Sequence, residues 1–290
     1  MQKKELLNLH LTSFLRLIRW QNLLIIVFTQ YLAKVFLVGP ALYWKYHLLD
    51  YNQFLITTST VLIAAAGYII NDYFDIKIDL INKPKEVVIG RVIKRRWAMI
   101  IHQTLNVLGV FIGFLVSIKV LIINLIAVTS LWFYAERFKR LAFLGNLVVA
   151  GLTGASLVVM AVYYPGSDLL INIYAVFAFG ITLIREVIKD MEDIPGDKKY
   201  GCRTLPVIWG IPKTKRFVYL LILGFVLIVL SIGWRLNNER VMTVFLLLGI
   251  PIIWLTYKLY RADRKSHYSF LSRFCKIIMI NFCIFEYESL

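Results

Sequence analysis

The stretch LIAAAGYIINDYFDIKID, residues 62–79, runs apolar as far as Ile70 and then carries Asn71, Asp72, Asp75 and Asp79. A second stretch, TLIREVIKDMEDIPGD, residues 182–197, places Asp190, Asp193 and Asp197 at the same spacing, again where an apolar run ends. Carboxylates are costly beside hydrocarbon and tend to be kept there for a site. Six at matched intervals look like two halves of a cage for a hard divalent cation, and such a cage would hold a polyphosphate.

The apolar runs that lead into these clusters settle the fold class. The chain has 290 residues, 59% of them hydrophobic, and its mean hydropathy is +0.71. That is beyond an ordinary soluble domain. Nine runs are long enough to suggest membrane crossings: residues 17–38, 54–70, 97–116, 120–135, 143–163, 169–184, 217–234, 241–259 and 272–285. Arg273 and Lys276 interrupt the ninth. Uninterrupted apolar segments in lipid must satisfy their backbone groups internally, so each is expected to be a helix. The expected architecture is all-α: a polytopic membrane protein, one domain over residues 1–290, a bundle of nine transmembrane helices with cytoplasmic loops after spans two and six. The first thirteen residues, with Lys3, Lys4, Glu5 and Asn8, lack the basic-then-apolar order of a cleaved signal. The first run therefore reads as a retained anchor.

On this layout twenty-eight lysines and arginines fall on one side and five (Lys34, Lys45, Lys119, Arg235 and Arg240) on the other. The basic side is expected to be cytoplasmic, in a cell inner membrane, with the N-terminus inside and the C-terminus outside if the ninth span crosses. Both acidic clusters lie on that side. The net charge of +16 is accounted for by orientation and anionic lipid, and no nucleic-acid module is present. The basic residues nevertheless crowd into the segments 77–96 and 189–216, which follow the acidic clusters and suit phosphate oxygens. Cys202, Cys275 and Cys283 have no paired spacing, and neither a disulfide nor zinc is expected. The four histidines are scattered, and no Ser/His/Asp set, Walker loop or dinucleotide fingerprint occurs.

If the second span continues as a helix to Asp79, then Asp72, Asp75 and Asp79 fall within an arc of about 60° and share a face, bordered by Asn71. An amide oxygen and three carboxylates make a partial set for magnesium, which keeps waters and takes phosphate oxygens. In the second cluster, Pro195 and Gly196 are expected to end the helix near Asp193 or Ile194 and leave Asp197 in a turn. Solvated acids capping helix ends are the bland alternative. Two equal triplets at span ends on one membrane face favour a site.

The segment from Asn71 to Asp79 resembles the first Asp-rich motif, NDxxDxxxD, of the UbiA superfamily of intramembrane prenyltransferases. The stretch REVIKDMEDIPGDKKYGCRTLPVIWG, residues 185–210, resembles the superfamily's second motif. The resemblance implies transfer of an isoprenoid chain from an allylic diphosphate, geranylgeranyl diphosphate being one candidate, to a lipophilic acceptor in the membrane, with Mg²⁺ as cofactor. It implies that Asn71, Asp72 and Asp75 hold one ion and Asp190 and Asp193 another, with Asp79 and Asp197 in support. It further assigns Lys139, Lys189 and Arg203 to phosphate oxygens, Tyr134 to facing an allylic cation, and Asn22 to a place near the diphosphate. The second motif most resembles the branch that makes digeranylgeranylglyceryl phosphate, whose acceptor is a prenylated glycerol phosphate. The loop Lys85 to Gly90 departs from that branch, with an acidic Glu86 where arginine is usual. An aromatic acceptor keeps the same chemistry with a different pocket. A transporter is the rival from another class, and it would need its acids at mid-membrane depth.

Overall fold

The computed structural model describes residues 11–38, 41–166, 168–237 and 239–285. The reading of the N-terminus as a retained anchor rests mostly on residues 1–10, which lie outside the described ones. So do the last residues of the chain, 286–290.

Nine long helices follow one another: α1 Trp20–Leu37, α2 Tyr51–Asn82, α3 Arg95–Val116, α4 Ile118–Glu136, α5 Leu144–Tyr163, α6 Asp168–Lys199, α7 Leu205–Leu236, α8 Glu239–Arg261 and α9 Lys265–Phe285. Short helical turns lie at residues 11–17, 41–48 and 138–140. Apart from the isolated bridge between Ile89 and Ile93, no β-structure occurs among the described residues. The first seven long helices, α1 to α7, are long and apolar enough to cross a membrane. Large apolar side chains such as Phe111, Leu115, Ile126, Leu227 and Ile253 are exposed on the outside of the bundle. Lipid covers such a surface without cost and water does not. The molecule is an integral membrane protein.

α2 and α6 are the longest elements together with α7, and they overrun the apolar spans read from the sequence. α2 packs along α1, α3 and α4, α6 packs along α5, α7 and α9, and the two meet each other. α2 begins where Asp50 Oδ1 accepts the backbone N–H groups of Asn52 and Gln53, at 2.9 and 3.2 Å. That cap satisfies two otherwise orphaned donors. Beyond Ile70, α2 stays helical through the acidic cluster because the next loop folds back on it. Val88 and Ile89 bury against Ile69, Leu17 and Ala98, with Tyr73 and Ile76 beside them. Glu86 is exposed on that loop, so the departure from the family pattern points an acid at solvent.

The expected break at Pro195 does not occur, and α6 continues to Lys199. The reason is Asn82, the last residue of α2. Its Nδ2 donates to the Asp193 carbonyl at 3.0 Å, and its Oδ1 accepts the Gly196 N–H at 2.9 Å. One side-chain amide thus replaces ladder partners around a proline that has no N–H of its own. A β-carbon on Gly196 would come within 2.8 Å of all three heavy atoms at the end of that amide, so glycine is required for the approach. α7 carries a different break: Gly210 sits at φ 76°, separating a short first turn from the long span after it.

At the other end of the bundle, Lys34 of α1 is buried and ion-paired at 2.8 Å with Asp50 Oδ2. Its Nζ lies 3.5 Å from the centre of the Tyr164 ring, and Tyr164 Oη donates to the same carboxylate at 3.1 Å. Burial pushes the Asp50 carboxyl up, but hydrogen bonds from Lys34, Gln53 and Tyr164 outweigh it and hold the group below its ordinary 3.8. A carboxyl depressed by folding stabilises the fold above that ordinary value and loses its contribution as pH falls from there through the lower folded value. Wild-type protein in detergent should therefore melt roughly 4 °C above Asp50→Asn at pH 6. The difference should begin to shrink as pH falls below about 4 and continue to narrow with further acidification in thermal unfolding.

Candidate active site

The acidic halves of α2 and α6 run side by side at one end of the bundle, joined by the Asn82 amide. Between them lies a cavity of about 80 Å³ whose lining includes Asn71, Asp75 and Asp79 from α2 and Glu186, Asp190, Asp193 and Asp197 from α6. Residues more than a hundred positions apart in the chain stand here on facing walls, because both helices continue past their apolar spans. Lys139, from the turn after α4, reaches in to pair with Asp75 Oδ1 at 2.5 Å. Burial pushes its ammonium below the usual lysine range, against the pull of Asp75. Lys83, just past α2, stands 3.9 Å from Asp193 Oδ1.

The walls hold the acids in place by polar contacts. Asn146 Nδ2 of α5 donates to Asp190 Oδ2 at 2.9 Å, and Thr204 Oγ1 donates to Asp197 Oδ2 at 3.1 Å. Lys265 Nζ, at the start of α9, donates to the Asn82 carbonyl at 2.7 Å and closes the end of α2. Cys202 lines the cavity as a protonated thiol, since burial and Asp197 push it up to about 11.

A second, largely apolar chamber of about 240 Å³ lies beside the acidic one. Ile25, Ile63, Ala64, Gly67, Leu131 and Leu152 are among its walls. Arg19, Asn71, Tyr134, Glu186 and Lys189 line both cavities, so the polar cage and the apolar chamber share one polar ring. Glu186 is ion-paired with Arg185 and, at 3.7 Å, with Lys189.

Of the residues singled out in the sequence, Asn71, Asp75, Asp79, Tyr134, Lys139, Lys189, Asp190, Asp193 and Asp197 are brought together around the cage. Asp72 is adjacent on α2 but outside its lining, taken by Arg19 Nη2 at 2.8 Å. Asn22 lines the apolar chamber, where its Oδ1 accepts from Lys276 Nζ at 2.8 Å. The Arg203 side chain is exposed and absent from both cavities, although its backbone N–H ties to the Arg140 carbonyl at 2.8 Å. Sequence reasoning gave no role in the site to Asn82, Asn146, Thr204, Glu186 and Arg19. For Asn82 a signal was available: it extends the 72, 75, 79 face by three residues. Asn146 is likewise a polar residue in the first turn of an apolar helix.

Magnesium fits this donor set. The acids offer only hard oxygens, they come from two helices, and Asp193 Oδ1 is buried without a hydrogen-bond donor. Among the described residues no three acidic, histidine or cysteine side chains are grouped closely enough to hold an ion unaided. That suits an ion which keeps its waters and binds through one or two carboxylates plus substrate phosphates.

Comparison with known proteins agrees with this architecture. A digeranylgeranylglyceryl phosphate synthase of Thermococcus sibiricus is 37% identical over 52% of this chain, and the match spans about half (53%) of that relative's length. The synthase of Methanosphaera stadtmanae is 30% identical over 81% of this chain and 86% of its own. A solved digeranylgeranylglyceryl phosphate synthase chain superposes with a TM-score of 0.73 at 26% identity, covering 96% of this chain and 99% of that one. A UbiA homologue from Archaeoglobus fulgidus, solved with DMAPP and Mg²⁺, shares the fold with a TM-score of 0.68 at 16% identity, covering 96% and 100%. The model of the UbiA prenyltransferase family matches residues 32–278, and the chain, with its paired acidic helices, belongs to that family.

Proposed function

We propose that the chain transfers a prenyl group from an allylic diphosphate, held at the acidic cage, to a prenylated glycerol phosphate that enters from the membrane. The observation that carries this reading is the shared ring: an acidic cavity for a metal-bound diphosphate opens beside an apolar chamber suited to an isoprenoid. The acids of α2 and α6 around the cage would hold magnesium, which when bound would offset the negative charge of the diphosphate. Lys139 and Lys83, which now pair with Asp75 and Asp193, are placed to exchange those carboxylates for phosphate oxygens. The bond from the allylic carbon to the diphosphate oxygen breaks, an ether bond to the acceptor hydroxyl forms, and the hydroxyl proton leaves with the diphosphate. Tyr134, on the ring between the two cavities, turns its π-face to the allylic cation. The apolar chamber keeps water from that cation.

All nine long helices cross the membrane in this reading, with α8 and α9 completing the bundle and the acidic ends of α2 and α6 on the cytoplasmic side with the excess of lysine and arginine. The acids occupy the terminal turns of their helices. A transporter would need them at mid-depth. Membranes containing the protein, incubated with labelled geranylgeranyl diphosphate and Mg²⁺, should prenylate geranylgeranylglyceryl phosphate. Transfer to an aromatic acceptor in its place would contradict the assignment.

A further inference from the structure

The apolar chamber carries a charge imbalance that the donor does not use. Four cations line it, Arg19, Arg185, Lys189 and Lys276, and Glu186 is its sole acid among the described residues. Arg19 is taken by Asp72, while Arg185 and Lys189 share Glu186. Lys276 of α9 reaches only the neutral Asn22 Oδ1, at 2.8 Å, and Arg185 Nε is buried with no hydrogen-bond partner. Lysine and arginine heads left in excess beside apolar walls are costly unless an anion joins them. Arg185 and Lys276 line the chamber and not the acidic cage, whereas Lys83 and Lys139 line the cage and not the chamber. The cations are thus divided between two anion sites.

We propose that Arg185 and Lys276, with Asn22 steadying the lysine, seat the phosphate monoester of the lipid acceptor, separately from the diphosphate of the donor. A monoester near −2 balances the charge left over when Arg185, Lys189 and Lys276 have only the Glu186 carboxylate among them. An arginine fork and a flexible ammonium supply the donors that its oxygens need. Tying the acceptor at this end sets its hydroxyl toward the ring that holds Tyr134. This rests on the prenyl-transfer reading, and it assigns the residues that select an acidic over a neutral acceptor.

The test uses purified full-length protein in detergent, as wild type, Lys276→Met, Lys276→Arg and Arg185→Gln. Binding of geranylgeranylglyceryl phosphate is measured by calorimetry without donor or metal, and then KM for acceptor and donor in turnover. Wild type should bind the phosphate and not geranylgeranylglycerol. Lys276→Met and Arg185→Gln should weaken acceptor binding and raise acceptor KM about tenfold or more, with donor KM moved less than about twofold. Lys276→Arg should restore most of the loss. Equal binding of the neutral alcohol, competition by an equal concentration of phosphatidylglycerol, or a parallel rise in donor KM would each overturn the seat. If wild type binds the phosphate acceptor and the variants do not, yet no prenyl group is transferred to it, the seat stands and the proposed reaction fails.

Discussion

Replacing Asp190 with alanine is expected to lower prenyl transfer by about a thousandfold, with the protein still inserting and melting close to wild type. The size follows from the role: interactions aimed at charge that develops as a bond breaks are worth about 10²–10³ in turnover apiece. Asp190 faces the cage from α6 and is positioned by Asn146 Nδ2 at 2.9 Å. Its removal relieves a crowd of carboxylates, so stability should not suffer. Asp75→Ala, on the opposite wall, should lose a comparable factor, because it also frees Lys139. Arg203→Ala, whose side chain is exposed, should change the rate less than about threefold, within the range of an ordinary surface substitution. Steady-state turnover with labelled donor, beside membrane fractionation and thermal unfolding, checks all three. Near-wild-type transfer by Asp190→Ala would remove α6 from the site.

The second large effect is expected at a residue whose side-chain amide is spent on holding the end of α6. Asn82→Ala deletes an amide that satisfies the Asp193 carbonyl and the Gly196 N–H at once. A buried donor left unsatisfied costs about 1–3 kcal/mol, and here it lies in the turn that carries Asp193 and Asp197. The variant should melt lower and lose roughly a hundredfold in turnover, since small misplacements of positioning groups have consequences of that order. Asn82→Asp keeps one acceptor but adds a carboxylate next to six others around the cage, so it should not rescue activity. Asn82→Gln, one methylene longer, should recover part of the stability and little of the rate. Unchanged turnover in Asn82→Ala would mean that the end of α6 holds its shape without this bridge.

Much of this arrangement can be read in the chain alone, and the rest depends on contacts between distant segments. Apolar runs announce spans because lipid leaves the backbone no other partner, and seven of the nine runs lie inside long helices, while the first and fifth overrun theirs by one to three residues. The matched acidic triplets announce the cage because charges at span ends are expensive to keep. How far each helix runs past its apolar stretch is not legible from hydropathy, for one shared reason. Hydropathy stops at the first aspartate, whereas the helices continue on tertiary support: Val88 and Ile89 against α2, and the Asn82 amide around Pro195. Arg203 lies within the second motif, but the turn that buries Cys202 and Thr204 leaves Arg203 facing outward. Asn22 is polar within an apolar run, which marks it for a partner without naming one. Its partner, Lys276, lies 254 positions away on α9.

The convergence of α2 and α6 on one cavity is the claim on which the remainder stands. An experimental structure of the protein with Mg²⁺ and a non-hydrolysable geranylgeranyl thiodiphosphate addresses it directly. The account predicts the diphosphate between the two helices, with metal-bound oxygens drawn from both acidic clusters and the isoprenoid running into the apolar chamber. Metal and diphosphate held by one cluster alone, with the other facing solvent, would contradict it.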